Sequence, residues 1–202
     1  MTGSPDPGQP HAGARRPRPV FLLVGMVLAV GLGVGLFTGV GTGGSKGTPT
    51  RLQAGSPMPA FTLPRLGGGS RVGIPADGGS AGKPAVVLYF ASWCGPCQAE
   101  IPALAALYRH EEATHSHLAR VALIGIDEND PTADGLKFVR SAGVTFPVGV
   151  DKTFASTGGH FGFTGLPDAV FVSSDGVIAA VHQGPVSTSL LTGWQDRLLT
   201  GG

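Results

Sequence analysis

The stretch Trp93-Cys94-Gly95-Pro96-Cys97 constrains this chain more than any other. It holds the only two cysteines in the molecule, separated by two residues. Ahead of it runs Val86-Val87-Leu88-Tyr89-Phe90, a short apolar segment rich in β-branched and aromatic residues, which reads as a buried strand. Behind it, from Gln98 to His110, Ile101, Leu104, Ala105, Leu107 and Tyr108 recur at helical spacing. The cysteines therefore fall at a strand-to-helix junction, with Cys94 at the helix N-terminus. Unpaired backbone N–H groups and the positive end of the helix dipole collect there. Both favour a thiolate, which is the nucleophile of disulfide exchange. Cys94 is thus expected to be the exposed nucleophile and Cys97, deeper in the helix, the shielded resolving thiol. Trp93 is expected to cover the site from one side, since an amphipathic ring beside a reactive sulfur suits a surface better than a core.

Two other uses of the pair stand beside this one. A structural zinc needs four ligands, yet there is no second cysteine pair and the six histidines show no partner spacing. A purely structural disulfide would close a loop so short that the gain in chain entropy is smallest. His115-Ser116-His117 reads as surface loop and the acids of Asp127-Glu128-Asn129-Asp130 lack calcium-loop spacing, so no metal is expected.

The motif resembles that of thioredoxin. Over about residues 57 to 200 the chain resembles more specifically the membrane-anchored, extracytoplasmic thioredoxin-like proteins of the TlpA/ResA type. Phe61-Thr62-Leu63 before the Gly67-Gly68-Gly69 turn matches that family's N-terminal hairpin, and Phe146-Pro147-Val148 its short strand. The implied fold is α/β: a mixed central sheet flanked by helices, with the N-terminal hairpin and a βα insert, preceded by one transmembrane helix. The resemblance makes Pro167 the cis-proline that faces the two cysteines, keeps metals off them and presents the Leu166 backbone to a partner's extended chain. Trp93, Gly95, Pro96 and Leu166 would then form the substrate-facing surface. Where thioredoxin has a buried strand aspartate this chain has Leu88. Glu100, three residues beyond Cys97 and on its side of the helix, matches a family glutamate and is expected to take the Cys97 proton. Asp168 departs from the family, which more often has threonine after this proline, and is expected to set a second carboxylate near the thiols, where it would disfavour the thiolate.

Several elements follow from local pattern. Pro102 should interrupt the hydrogen-bond ladder of the helix after the motif. Val121 to Ile126 reads as a strand buried on both faces. Asp127 to Pro131 reads as a loop, with Asp130 capping a helix that has Pro131 at its first position. Leu136, Phe138, Val139 and Ala142 give that helix its apolar face, and Gly143 ends it. A helix is expected from Phe154 to Phe161, a hairpin through Ser174-Asp175-Gly176, and a last helix capped by Ser187 or Thr188, with Leu190, Leu191, Trp194, Leu198 and Leu199 towards the core.

Four regions divide the 202 residues. Residues 1–19, with five prolines, read as a disordered cytoplasmic tail. Val20 to Val40 carries no charge and as a helix would extend roughly 30 Å, the thickness of a bilayer core. Arg15, Arg16 and Arg18 before it place the N-terminus in the cytoplasm and the remainder outside. A cleavable signal segment is the competing reading. Gly31, Gly35 and Gly39 share one helix face and suit weak homodimerisation through the membrane helix. Residues 41–56 read as a flexible linker and residues 57–202 as the thioredoxin-like domain.

Net charge is +1, with no basic excess for nucleic acid. The expected activity is extracytoplasmic thiol-disulfide exchange without a cofactor beyond a redox-active Cys94–Cys97 disulfide. The resemblance implies reduction of disulfides in exported proteins, including cytochrome c maturation, with a membrane electron donor. An oxidase introducing disulfides and a thioredoxin-fold binding module without turnover are the alternatives.

Overall fold

The computed structural model describes residues 51–75, 82–153 and 161–201. The tail, the proposed membrane span, most of the linker and residues 154–160 of the expected Phe154–Phe161 helix lie outside them. Among the described residues no helix is long and apolar enough to cross a membrane. The chain runs β1 (Phe61–Leu63), β2 (Val72–Ile74), β3 (Ala85–Phe90), α1 (Gly95–Ala113), β4 (Ala122–Glu128), α2 (Thr132–Ser141), β5 (Val148–Asp151), β6 (Asp168–Val172), β7 (Ile178–Gln183) and α3 (Thr188–Thr200). A short 3₁₀ helix, His117–Arg120, precedes β4.

The uninterrupted apolar run before the cysteines becomes β3, buried at every residue in the middle of a five-stranded sheet of order β5-β4-β3-β6-β7. β4 and β5 run parallel to β3, whereas β6 and β7 pair antiparallel. This is the expected mixed sheet. Strand alternation splits the core in two. Val86, Leu88 and Phe90 pack with Cys97, Ile101 and Leu104 of α1 and with Leu191 of α3. Ala85, Val87 and Tyr89 face the other way, against Phe61 and Leu63 of β1 and Val72 and Ile74 of β2. Each large side chain so buried contributes about 1.5–3 kcal/mol.

The β1–β2 hairpin forms its own two-stranded sheet and covers the face away from α1. Beyond β1 the chain joins β5 through Leu66 N–H to Val148 O (2.8 Å) and Val150 N–H to Pro64 O (2.9 Å). The domain also begins earlier than its composition suggests. Leu52 is buried, and Gly55 and Met58 donate to Ile178 O (2.8 Å) and Gly176 O (2.9 Å), so the end of the expected linker lies along β7. One apolar residue in a Gly/Thr-rich stretch anchors that segment.

A second correction concerns the acids after Ile126. β4 continues through Asp127 and Glu128, both fully buried, instead of ending in a loop. Pro131 takes the N-cap position of α2 and no side chain caps it, so Asp130 is free for another partner. The far end of α2 is as expected, with Gly143 in the left-handed region (φ 68°). Ser187 caps α3 by accepting from Leu190 N–H (3.1 Å).

Gly73 faces Thr62 across the hairpin, and a Cβ there would stand 1.9 Å from the Phe61 carbonyl oxygen. Gly73→Ala is therefore expected to separate the two strands and destabilise the domain by about 1–3 kcal/mol. Urea unfolding measures this; an unchanged midpoint would contradict the hairpin pairing.

Candidate active site

At the end of β3 the chain turns through Ala91 to Cys94 and enters α1. Cys94 N–H donates to Ala91 O (3.2 Å), which closes the turn. Cys94 is the N-cap of α1, and its Sγ accepts from Cys97 N–H at 3.2 Å. Gly95 and Pro96 occupy the first two helical positions and are exposed. Pro96 has no N–H, and at this position none would find a partner in the helix. The two sulfurs form a disulfide.

Cys97 is completely covered, as a shielded second sulfur should be, but Cys94 is only 4% exposed. This corrects the expectation of an openly exposed nucleophile. Bonded to Cys97 and folded back as the helix cap, Cys94 presents no more than an edge in the oxidised state. Trp93 is the exposed element, at 58%, and its Nε1–H donates to Asn129 O (3.3 Å). The Leu166–Pro167 peptide bond is cis, Pro167 is buried and Leu166 is half-buried between the two cores.

Glu100 lies on α1, half-buried. Its Oε2 accepts from Val186 N–H at 2.6 Å, ahead of α3, while Oε1 is buried without a partner. Burial raises its pKa to about 7, against the lowering effect of the Val186 bond. Such a carboxyl exchanges a proton readily near neutral pH. Asp168 is placed differently from Glu100. It opens β6 directly opposite Tyr89, so it projects to the face of the sheet that carries the hairpin, away from the cysteines. Burial raises its pKa to about 7 as well. The Tyr89 hydroxyl is held well above its ordinary value by burial and then by Glu128, Asp151 and, last, Asp168.

Residues that local pattern did not mark hold the loop itself. Asp130 accepts from Ser92 through both oxygens: Ser92 N–H to Oδ2 at 2.6 Å and Ser92 Oγ–H to Oδ1 at 2.8 Å. Gln98 Nε2–H donates to Ser92 O at 2.6 Å. Every polar group of Ser92 is thus engaged, two residues ahead of Cys94. Alongside, an open groove of about 430 Å³ between α1 and α2 is lined by Ser92, Gln98, Pro102, Lys137 and Phe138. Among the described residues no cluster of side chains could hold a metal ion.

Residues 53–193 match the redoxin family model. The chain belongs to the redoxin family. It is 29% identical over 150 residues to the thiol:disulfide interchange protein DsbE of Pseudomonas fluorescens biotype C, covering 74% of this chain and 75% of that one. It is 26% identical over 117 residues to the thiol-disulfide oxidoreductase ResA of Halalkalibacterium halodurans, covering 58% and 63%. Among solved structures, MTB dsbF in mixed oxidised and reduced forms superposes with a TM-score of 0.57 at 27% identity, over 68% of this chain and 94% of that one. This redoxin is a thiol-disulfide oxidoreductase with a thioredoxin-like fold.

The buried carboxyls set its response to pH. Glu100 and Asp168 are raised to about 7 and Asp127 to about 8, in each case chiefly by burial. A carboxyl with a raised folded pKa binds its proton more tightly in the folded chain than in the unfolded one. Its stabilising contribution is complete below about pH 4, the unfolded value, and is lost as pH rises through the folded one. The melting temperature of the oxidised chain is therefore expected to fall steadily between pH 5 and pH 8. Thermal unfolding at constant ionic strength measures this, and a rise across that interval would contradict it.

Proposed function

We propose that this redoxin is a membrane-anchored, extracytoplasmic reductase that opens disulfides in exported proteins. The observation that carries the reading is Glu100 on α1 beyond Cys97, with one oxygen buried and unpartnered and a pKa near neutrality. In the reduced enzyme the Cys94 thiolate attacks a substrate disulfide. One substrate sulfur leaves as a thiolate and takes a proton, and a mixed disulfide remains on Cys94. Cys97 then gives its proton to Glu100 and attacks the Cys94 sulfur. The second substrate thiol is released and the Cys94–Cys97 disulfide forms. Two electrons have passed to the substrate, and an external dithiol donor on the membrane side restores the enzyme. The exchange uses the two sulfurs alone, without a cofactor.

The substrate surface in this reading is Trp93, Gly95, Pro96 and Leu166, with the Leu166 backbone pairing an extended chain beside Pro167. Apocytochrome c fits as a substrate because the TlpA/ResA resemblance implies it. The uncharged Val20–Val40 run supports the anchor, and its Gly31, Gly35 and Gly39 face supports a weak dimer.

Insulin reduction coupled to a dithiol donor tests turnover. Cys97→Ser should abolish it and accumulate mixed disulfides on Cys94 with exported proteins, visible as adducts on non-reducing gels. Glu100→Gln should slow the second, mixed-disulfide-resolving step by about a hundredfold, the lower end of the range for a lost general base. Absence of turnover in the unaltered chain would leave a binding module, and net oxidation of reduced substrates would reverse the direction. Carbonate extraction should leave the full chain in the membrane pellet; release of a shortened soluble form would remove the anchor.

A further inference from the structure

Asp127 is the last but one residue of β4 and Asp130 lies in the turn to α2, and neither takes part in the exchange as described. Both are buried, Asp130 at 2% exposure. Asp130 accepts from Ser92 N–H and Ser92 Oγ–H, one bond on each oxygen. Asp127 lies in register with Phe90, on the sheet face that carries the cysteines, and neither of its oxygens has a hydrogen-bond donor. The surroundings supply almost nothing else. Gly135 of α2 packs so closely that a Cβ there would stand 2.3 Å from Asp127 Oδ2. Lys152, following β5, donates its ammonium to Asp130 O (2.9 Å) and to Thr132 Oγ1, and Glu128 is the next strand residue. An ionised Asp127 would therefore be a buried anion with no donor, beside Asp130 and Glu128, offset only by the charge of the Lys152 ammonium, which is bonded elsewhere. A protonated Asp127 can donate to the neighbouring Asp130, the carboxyl that acts on it most strongly.

We propose that Asp127 and Asp130 together act as positioning residues for the redox loop, a clamp on Ser92 that tightens or loosens with the proton of Asp127. The proposal deepens the reductase reading, on which its functional meaning rests. With the proton present, Asp130 is braced by Asp127 and holds Ser92, and Asn129 O receives the Trp93 ring N–H. With the proton lost, two like charges repel at the root of the turn and the segment carrying Ser92, Trp93 and Cys94 loosens. Burial, then the charge of Asp130, places the titration of Asp127 at about 8, within reach of physiological change.

The test uses the oxidised full chain, in which neither sulfur titrates. With Trp194→Phe removing the other tryptophan, Trp93 emission follows the loop as pH rises. A transition near pH 8 is expected in this parent. Asp127→Asn should abolish it, because an amide can donate to Asp130 at any pH, whereas Glu100→Gln should leave it in place. In parallel, dithiothreitol reduces the Cys94–Cys97 disulfide of the Asp127→Asn variant and the unaltered chain. The ratio of their rate constants cancels the reagent's own ionisation. It should lie near one at acid pH and depart by about threefold or more once Asp127 ionises. A transition that survives Asp127→Asn, or a ratio flat with pH, overturns the proposal. Should Asp127→Asn fail to fold, Asp130→Ala decides: it cuts both bonds to Ser92 and must hold Trp93 at its alkaline emission throughout, and a transition like the parent's overturns the proposal. Failure of the unaltered chain to reduce protein disulfides while the transition persists counts against the reductase reading and for the clamp.

Discussion

The structure depends on β3 being buried along its whole length and then giving way to α1 through a turn of four residues. Because the strand lies between two neighbours and between two apolar layers, its C-terminal end cannot shift without disturbing both cores. Cys94 stands where that rigidity meets the open N-terminus of a helix. Its sulfur caps the helix, so the group that must react also satisfies a backbone donor. The hairpin on the far face, the groove beside α1 and the proline-led strand β6 are all placed by the same strand.

Charge is arranged around that strand with unusual economy. The formal net charge is +1, yet Glu111, Asp127, Glu128, Asp130, Asp151 and Asp168 are all internal. Asp130 holds Ser92, Glu111 accepts from Gln195 of α3 at 2.9 Å, and Asp151 accepts from Thr153 N–H at 3.2 Å. Others sit in positions where burial raises their pKa towards neutrality, which makes proton binding part of the fold's energetics. Glu100 belongs to the same pattern and is the member closest in the chain to the reacting sulfurs.

Much of this was legible in the sequence because it is local. The apolar run before Trp93, the helical spacing after Cys97, the Asp175-Gly176 turn and the Ser187 cap are written in neighbouring residues. Pro167 was legible only through family resemblance, since nothing local marks one proline among 17 as cis. The clamp on the redox loop was not legible. Ser92 and Asp130 are 38 residues apart, and acids following a strand ordinarily mark a loop. The same habit hid the last two residues of β4, and a Gly- and Thr-rich composition hid the buried Leu52. Asp168 came out on the far face because strand parity, which reverses with each residue, could be settled only by its pairing with Tyr89.

The direction of electron flow is the central claim, and the equilibrium reduction potential of the Cys94–Cys97 pair tests it most directly. Gly95-Pro96 between the cysteines and a carboxyl on the same helix both argue against a strongly stabilised Cys94 thiolate, and hence against a strong oxidant. Equilibration of the full chain against defined dithiol buffers, with alkylation of the free thiols, gives the value. A potential near that of thioredoxin, about −270 mV, is expected of a reductase, and one near about −120 mV, that of the strong oxidant DsbA, would contradict it.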